Sequence, residues 1–409
     1  MLEALIKIAI LIGFLMTAAA YFVLLERRMA AWVQDRIGPN RVGVPLSLFG
    51  LKDLPLFGLG QPAADGLKFI LKEEYTPAHV DKRLFVLAPI AILASALTVF
   101  AVIPFGSVIP AIGGGDEPIR LNVAPDVNVG LIFVFALTSI AVYGVILGGW
   151  ASNNKYSFLG GLRSSAQLIA YELPMGLGLL GVVLAAGSMD LDKIIHQQAE
   201  SVWYGLAQPL GFVVFMIAAF AEAARLPFDL PEAEQELIGG YHTEYSGMKL
   251  LLFLVAEFLH MITASFLIVI LFLGGWHLPW ITGTSNEDVG WMTAILRILV
   301  LQAKIFLVIV FFMMVRWSWP RFRFDQLMNL AWKIMLPLGL VNVVALAVLY
   351  ELRAINDPDA GSWLWGSIVL FGMWIVAALA WLGTSLVNPL VTDNRPRLDV
   401  LTSEVDGQI

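Results

Sequence analysis

Five ionisable side chains sit inside long apolar runs or at their margins: Glu172, Glu222, Glu257, His260 and Lys304. A charge near a bilayer centre costs about 2.5–3.5 kcal/mol on insertion scales, so such residues are either paired or at work. Glu222 with Arg225, and Glu257 with His260, stand at i and i+3, the spacing of a static contact on one helix face. For any single one of these residues, a static role carries as much weight as a functional one. Three glutamates on three different helices shift that balance. Carboxyls facing a shared polar interior are what a proton or ion path requires, because each can take up a proton and give it back. Glu172 also lies in Tyr171-Glu172-Leu173-Pro174, where the proline removes a backbone donor. A broken helix is tolerated in a membrane beside protein or a water cavity, and an ordinary packing kink is the bland alternative.

The second concentration of chemistry is Pro227-Phe228-Asp229-Leu230-Pro231-Glu232-Ala233-Glu234-Gln235-Glu236-Leu237, which ends at Gly239-Gly240. Two prolines hold Asp229 and Glu232 in turn geometry. An acidic loop is most often solvated surface. This one follows directly on Glu222, where basic residues are preferred. Closely spaced carboxylates repel, so some of Asp229, Glu232, Glu234 and Glu236 should bind protons near neutral pH, as an entrance or switch for protons needs. The stretch from Arg316 to Gln326 is rich in Arg and Trp and reads at least as well as a membrane-surface anchor.

Of 409 residues, 59% are hydrophobic and only 14% charged; a soluble domain has about 45–50% and about 25%. The mean hydropathy is +0.80. The apolar residues come in blocks of about twenty, one bilayer crossing each. These blocks predict an all-α polytopic membrane bundle of about nine transmembrane helices, forming one membrane domain. The spans are Leu2–Leu25, Leu84–Phe105, Val129–Trp150, Ser164–Gly187, Leu206–Ala224, Leu250–Gly274, Trp291–Val315, Leu330–Leu352 and Trp363–Leu386. With the N-terminus outside and the C-terminus cytoplasmic, only Arg120, Lys193 and Arg353 of the 25 basic residues fall in outer loops. Lys7, Arg297 and Lys304 fall within spans, and all the rest are cytoplasmic, a strong positive-inside bias. The first run ends at Glu26-Arg27-Arg28 with no small-residue cleavage site and reads as a retained helix. Residues 26–83 form a cytoplasmic connection whose helical pattern from Gln61 to Glu74 predicts a short amphipathic surface helix, with Asp65 and Lys68 close enough to pair. Residues 225–249 form the acidic loop, and 355–409 an additional helix and tail.

There is no cysteine, which excludes disulfides and Cys-ligated zinc or iron–sulfur clusters. Of His79, His196, His242, His260 and His277, only His260 lies in an apolar block, so no histidine pair can clamp a haem. No Gly-rich phosphate loop follows a strand. The chain therefore carries no redox centre or metal site of its own, and its modest net charge of −7 argues for no nucleic-acid partner.

Several stretches resemble a known family. Glu26-Arg27-Arg28 through Gln34-Asp35-Arg36-Ile37-Gly38-Pro39-Asn40 is similar to the first signature of the H-type membrane subunit of proton-pumping NADH:quinone oxidoreductase. That enzyme is respiratory complex I, and the mitochondrial counterpart of the subunit is NADH dehydrogenase subunit one. Gln61, Asp65 and Lys68 continue the match. PFDLPEAEQEL with GGYHTEYSGMK resembles the second signature, and WASNNKYSFLGGLRSSAQ and RFRFDQLM also fit. The match runs from about residue 20 to about 350; the ninth span and tail, and Trp317 and Trp319, depart from it. The resemblance implies a bacterial inner-membrane subunit beneath the peripheral arm, forming much of a cavity entered by a lipid quinone. Arg36, Asp65 and Lys68 would line that cavity. Glu172, Glu222 and Glu257 would be its buried glutamates, and Glu232, Glu234 and Glu236 its loop carboxylates. NADH, FMN and iron–sulfur clusters would belong to partner subunits, and the other neighbours would be membrane pump subunits, lipids and the quinone. Two other readings remain: a quinone-independent membrane subunit of a related hydrogenase complex, and a free-standing proton-coupled transporter. The latter would be expected to show paired broken helices in two repeats, and no repeat is visible.

Overall fold

A computed structural model describes residues 2–43, 57–110, 119–125, 127–229, 238–283, 289–356 and 363–387. The long helices are α1 (Leu2–Val33), α3 (Lys82–Thr98), α4 (Gly130–Ala151) and α5 (Lys155–Ala186), followed by α9 (Gly247–Phe272), α10 (Trp291–Ser318), α12 (Leu336–Asn356) and α13 (Trp363–Val387). Shorter ones are α2 (Gln61–Leu71), α6 (Leu191–Glu200), α7 (Tyr204–Ala207), α8 (Pro209–Glu222) and α11 (Phe324–Asn329). One two-residue antiparallel hairpin, Val108–Ile109 with Ile119–Arg120, is the sheet content among the described residues.

Eight helices among the described residues are long and apolar enough to cross a membrane. The chain is a multi-pass membrane helix bundle. The expected fifth span, 206–224, is shorter than its apolar run suggested. Gln208 breaks it, Pro209 starts α8 at a first-turn position, and 14 residues remain. The expected eighth span is continuous from α11 to α12 through a wider π turn at Leu330–Met335.

Connections at alternate helix ends gather on two faces. On one, with residue 2, Asn122 bonds Asp192, Arg297 bonds Ser107, and Gln198 bonds the Ile270 carbonyl. On the opposite face Glu26 meets Arg225 and Arg316, Asn154 bonds Glu244, and Ser246 bonds the Tyr75 carbonyl. Helix starts are fixed locally: Asp81 caps α3 and Asn154 caps α5 by accepting first-turn backbone N–H groups.

Helix α9 is the axis of the bundle. Of its most apolar window 78% is buried, against 17% for α1 and α13 at the rim. A helix apolar all round belongs inside, and Met261 to Phe272 are buried without a break. Around it, α3, α4 and α5 approach closely through small residues. A Cβ on Gly160 of α5 would fall 2.6 Å from the Gly240 Cα, so glycine there lets the turn Gly240–His242 lie on α5.

Candidate functional site

The three glutamates of the apolar runs meet, each partly buried. Glu172 of α5, Glu222 at the last position of α8, and Glu257 and His260 of α9 line one partly open cavity of about 60 Å³. At about 10–15 Å³ per water that is room for roughly four waters. Helical periodicity explains the convergence: Ser164, Leu168 and Glu172 stand at i, i+4 and i+8 on α5, and Phe253, Glu257 and His260 at i, i+4 and i+7 on α9. Leu173, next to Glu172, takes the outward position and is 48% exposed. The acids therefore turn inward. Thr138 and Ser139 of α4 complete the wall, with Tyr241 from the turn that Gly160 admits. The Ser139 hydroxyl donates to the Glu172 carboxylate, and Thr138 is within hydrogen-bond reach of Glu222.

The segment after Glu222 is anchored from below and from the side. Gln167 of α5, 1% exposed, donates from Nε2 to the carbonyls of Ala221 at 2.9 Å and Phe228 at 2.6 Å. It thereby pins both ends of the turn. Tyr171 donates to the Leu327 carbonyl and, with Phe322, sandwiches the Phe228 ring. The Glu222–Arg225 contact that i,i+3 spacing suggested does not form. The helix ends at Glu222, Ala224 takes a left-handed φ of 48°, and Arg225 turns to Glu26 at 3.2 Å and lies over Phe258. Glu26 also accepts from Arg316. Asp229, buried, accepts from Arg321 at 3.1 Å. The basic stretch read as a surface anchor thus holds the acidic turn in place. Glu232, Glu234 and Glu236 lie outside the described residues.

Glu257 and His260 share the chamber, and no hydrogen bond joins them. The expected Asp65–Lys68 pair is replaced. Asp65 accepts from Arg27 of α1 at 2.7 Å and from Gln61 at 3.1 Å, while Lys68 points outward beside Phe69. A guanidinium delivered from a second helix outcompetes a flexible ammonium on the same one. Arg36 is exposed and bonded to the Gln34 side chain.

Lys304 takes the static role. It lies toward the N-terminal face, far from the chamber along α9, and its ammonium donates to the carbonyls of Leu273, Gly275 and His277 at 2.6, 3.0 and 2.6 Å. These are the groups left open at the end of α9, where the helix dipole favours a cation. Arg297, fully buried, donates to the Thr282 carbonyl and Ser107 and stacks on Trp276 at 4.1 Å. Between them, burial first and then the Lys304 and Arg297 charges hold the His277 imidazole below the usual histidine range.

Gln167, Tyr171 and Glu26 position the site, and none of them stands out in the sequence as a charge inside an apolar run. Gln167 is polar but uncharged, and Glu26 sits at a span end where charge is ordinary. A glutamine in an apolar helix one turn from Tyr171 was the available signal.

Residues 6–347 match the family model described as NADH dehydrogenase. Among curated relatives, the first of the NADH-quinone oxidoreductase H subunits of Geobacter metallireducens is 47% identical over 85% of this chain and 96% of that one. The first H subunit of Cytophaga hutchinsonii is 46% identical over 84% and 95% respectively. The H subunit of Flavobacterium johnsoniae is 44% identical over 84% and 93%.

Proposed function

The chain belongs to the NADH dehydrogenase family, that of the NADH-quinone oxidoreductase H subunits, and on that premise we propose that its glutamate chamber couples quinone reduction to proton movement. The observation that carries this reading is the meeting of Glu172, Glu222 and Glu257, from three helices, around one cavity with room for several waters. Buried carboxyls in such a space exchange protons through ordered water.

The turn from Ala223 to Asp229 is the mechanical partner of the chamber. Its start is Glu222 itself, and its span is held by Gln167, Glu26 and Arg321. Quinone reduction consumes protons and changes charge near the 227–236 loop. That change alters the occupancy of Glu222, then of Glu172 and Glu257, and passes to neighbouring pump subunits. Arg36, Asp65 and Lys68 line the path of the quinone, with Asp65 oriented by Arg27. The electrons come from iron–sulfur clusters in a peripheral partner, in keeping with the absence of cysteine here. The setting is the bacterial inner membrane, with the acidic turn on the cytoplasmic face.

Glu222→Gln and Glu172→Gln in the assembled complex test this. The expected result is a fall of at least about tenfold in coupled quinone reduction, a conservative bound on the roughly 100-fold or more that one positioned proton-transfer group supplies. Normal turnover with an unchanged proton-to-electron ratio in both variants would refute it.

A further inference from the structure

Below the glutamate chamber lies a second, smaller cavity of about 10 Å³, room for about one water. The two are stacked. Along α9 the upper is lined by Glu257 and His260, the lower by His260, Thr263 and Leu267. On α4 the lining moves from Val145 and Val142 down to Phe135 and Val134, on α5 from Leu168 to Met175, and on α8 from Glu222 to Phe215. In all four helices the shift runs toward the N-terminal face. Only Thr138, Glu222 and His260 border both spaces. Beyond that neck the lower cavity has no further ionisable lining among the described residues. Thr263 spends its hydroxyl on the Leu259 carbonyl, and the remaining walls are apolar.

We infer that His260 is a fourth proton-holding group of the chamber and marks its inner end. The inference rests on the proton-coupling reading above. His260 makes no hydrogen bond to a described residue, yet it shares both cavities with Glu222. A neutral imidazole always carries one bare nitrogen able to accept a proton. The groups around it are Glu222 from α8, Glu172 from α5, Glu257 from its own helix, and Tyr241 and Thr138; α3 offers only Ile92.

The step is a proton transfer and nothing else. The O–H bond of a protonated Glu222 or Glu257 breaks, and an N–H bond forms on the bare ring nitrogen, directly or through one water. A carboxylate and an imidazolium are left facing each other. No electron changes hands, and the net charge of the chamber is unchanged. A proton arriving from the acidic turn can therefore be parked at the neck while a glutamate is freed to receive the next. With no further ionisable lining below, it leaves only back into the chamber and sideways, not straight down to the N-terminal face.

The test uses His260→Asn and His260→Gln in the assembled complex reconstituted in vesicles. Asparagine keeps the hydrogen-bonding position of Nδ1 and glutamine that of Nε2, so both preserve shape without a titrating ring. The expected result in both is a fall of about tenfold in coupled turnover, with one limb of the pH–rate profile displaced; a merely structural histidine would leave that profile in place. Wild-type turnover, pumping ratio and pH profile in either variant would overturn the inference. Glu222→Gln measured alongside separates the two levels: if it is impaired while the histidine variants are normal, only His260 loses its role. Normal behaviour of Glu222→Gln as well removes the coupling reading itself. Infrared difference spectra of the wild-type complex grown with ring-labelled histidine supply a readout without substitution. An imidazolium band should appear during turnover, and its absence overturns the inference.

Discussion

Lys304 and Glu222 are ionisable groups housed in the same bundle, one toward each face, and their surroundings differ in kind. The lysine ammonium has three donors and three carbonyls at 2.6–3.0 Å, with the Trp203 ring 4.4 Å away. Every hydrogen is spoken for. The glutamates line a void large enough for several waters, and Glu222 also faces a second one with room for about one. A buried charge with saturated geometry is architecture. A buried charge beside water-sized space is able to change state. Burial alone does not separate the two; the number of open hydrogen-bonding positions does.

The comparison is broken most directly at Lys304. Lys304→Met should destabilise the purified complex by about 2–4 kcal/mol, because three carbonyls at the end of α9 lose their donor, while turnover per intact complex stays normal. Denaturant titration combined with activity per assembled complex measures both. A stable variant that no longer pumps would move Lys304 into the transport machinery and end the distinction. Gln167→Leu comes next. Loss of its two bonds takes from the Phe228 carbonyl its Gln167 donor and leaves the Ala221 carbonyl only backbone donors such as Ala224, a cost of about 1–3 kcal/mol. Here turnover should fall too, because the turn carrying Asp229 is no longer held against α5; an unaffected rate would show that the turn needs no such anchor.

The smallest effect concerns pH. His277 has its proton affinity lowered by burial and by Lys304 and Arg297, so the folded protein binds fewer protons there than the unfolded chain. Its contribution is fully present above the ordinary histidine pKa of about 6.5 and is lost as pH falls through the lowered folded value. Thermal stability of the wild type should decline on mild acidification more than that of His277→Gln. Equal slopes would mean that His277 does not report on the cation cluster.

The acids were legible in the sequence because a carboxylate interrupting a twenty-residue apolar run has few innocent explanations. Glu172, Glu222 and Glu257 were singled out on that ground, and all three border the same space. Lys304 was flagged by the same rule and has a structural role. Its partners are backbone carbonyls, which exist at every residue and leave no mark in a sequence. The Asp65–Lys68 and Glu222–Arg225 pairings failed for a related reason. Spacing of i,i+3 states who is near on one helix, not whether an arginine arrives from another, as Arg27 does, or whether the helix has ended, as α8 has. The bundle and most of its spans were readable from hydropathy, but not the shortening of the fifth, which hydropathy averages over although Pro209 marks it. The π turn at Leu330–Met335 left no such mark.

The carboxylate of Glu26 joins residues 199 and 290 positions further along the chain. Ribosomes add roughly 5–20 residues per second, so the first helix waits on the order of 15–60 s in the membrane before its last guanidinium partner is made. From the synthesis of Asp229 until that of Arg321, the turn after α8 can be held by Gln167 and the Arg225–Glu26 pair but lacks the contacts from Arg316 and Arg321. The acidic turn thus gains its full set of anchors only after about three quarters of the chain is made, and a chain interrupted before Arg316 would hold it by Gln167 and Arg225 alone.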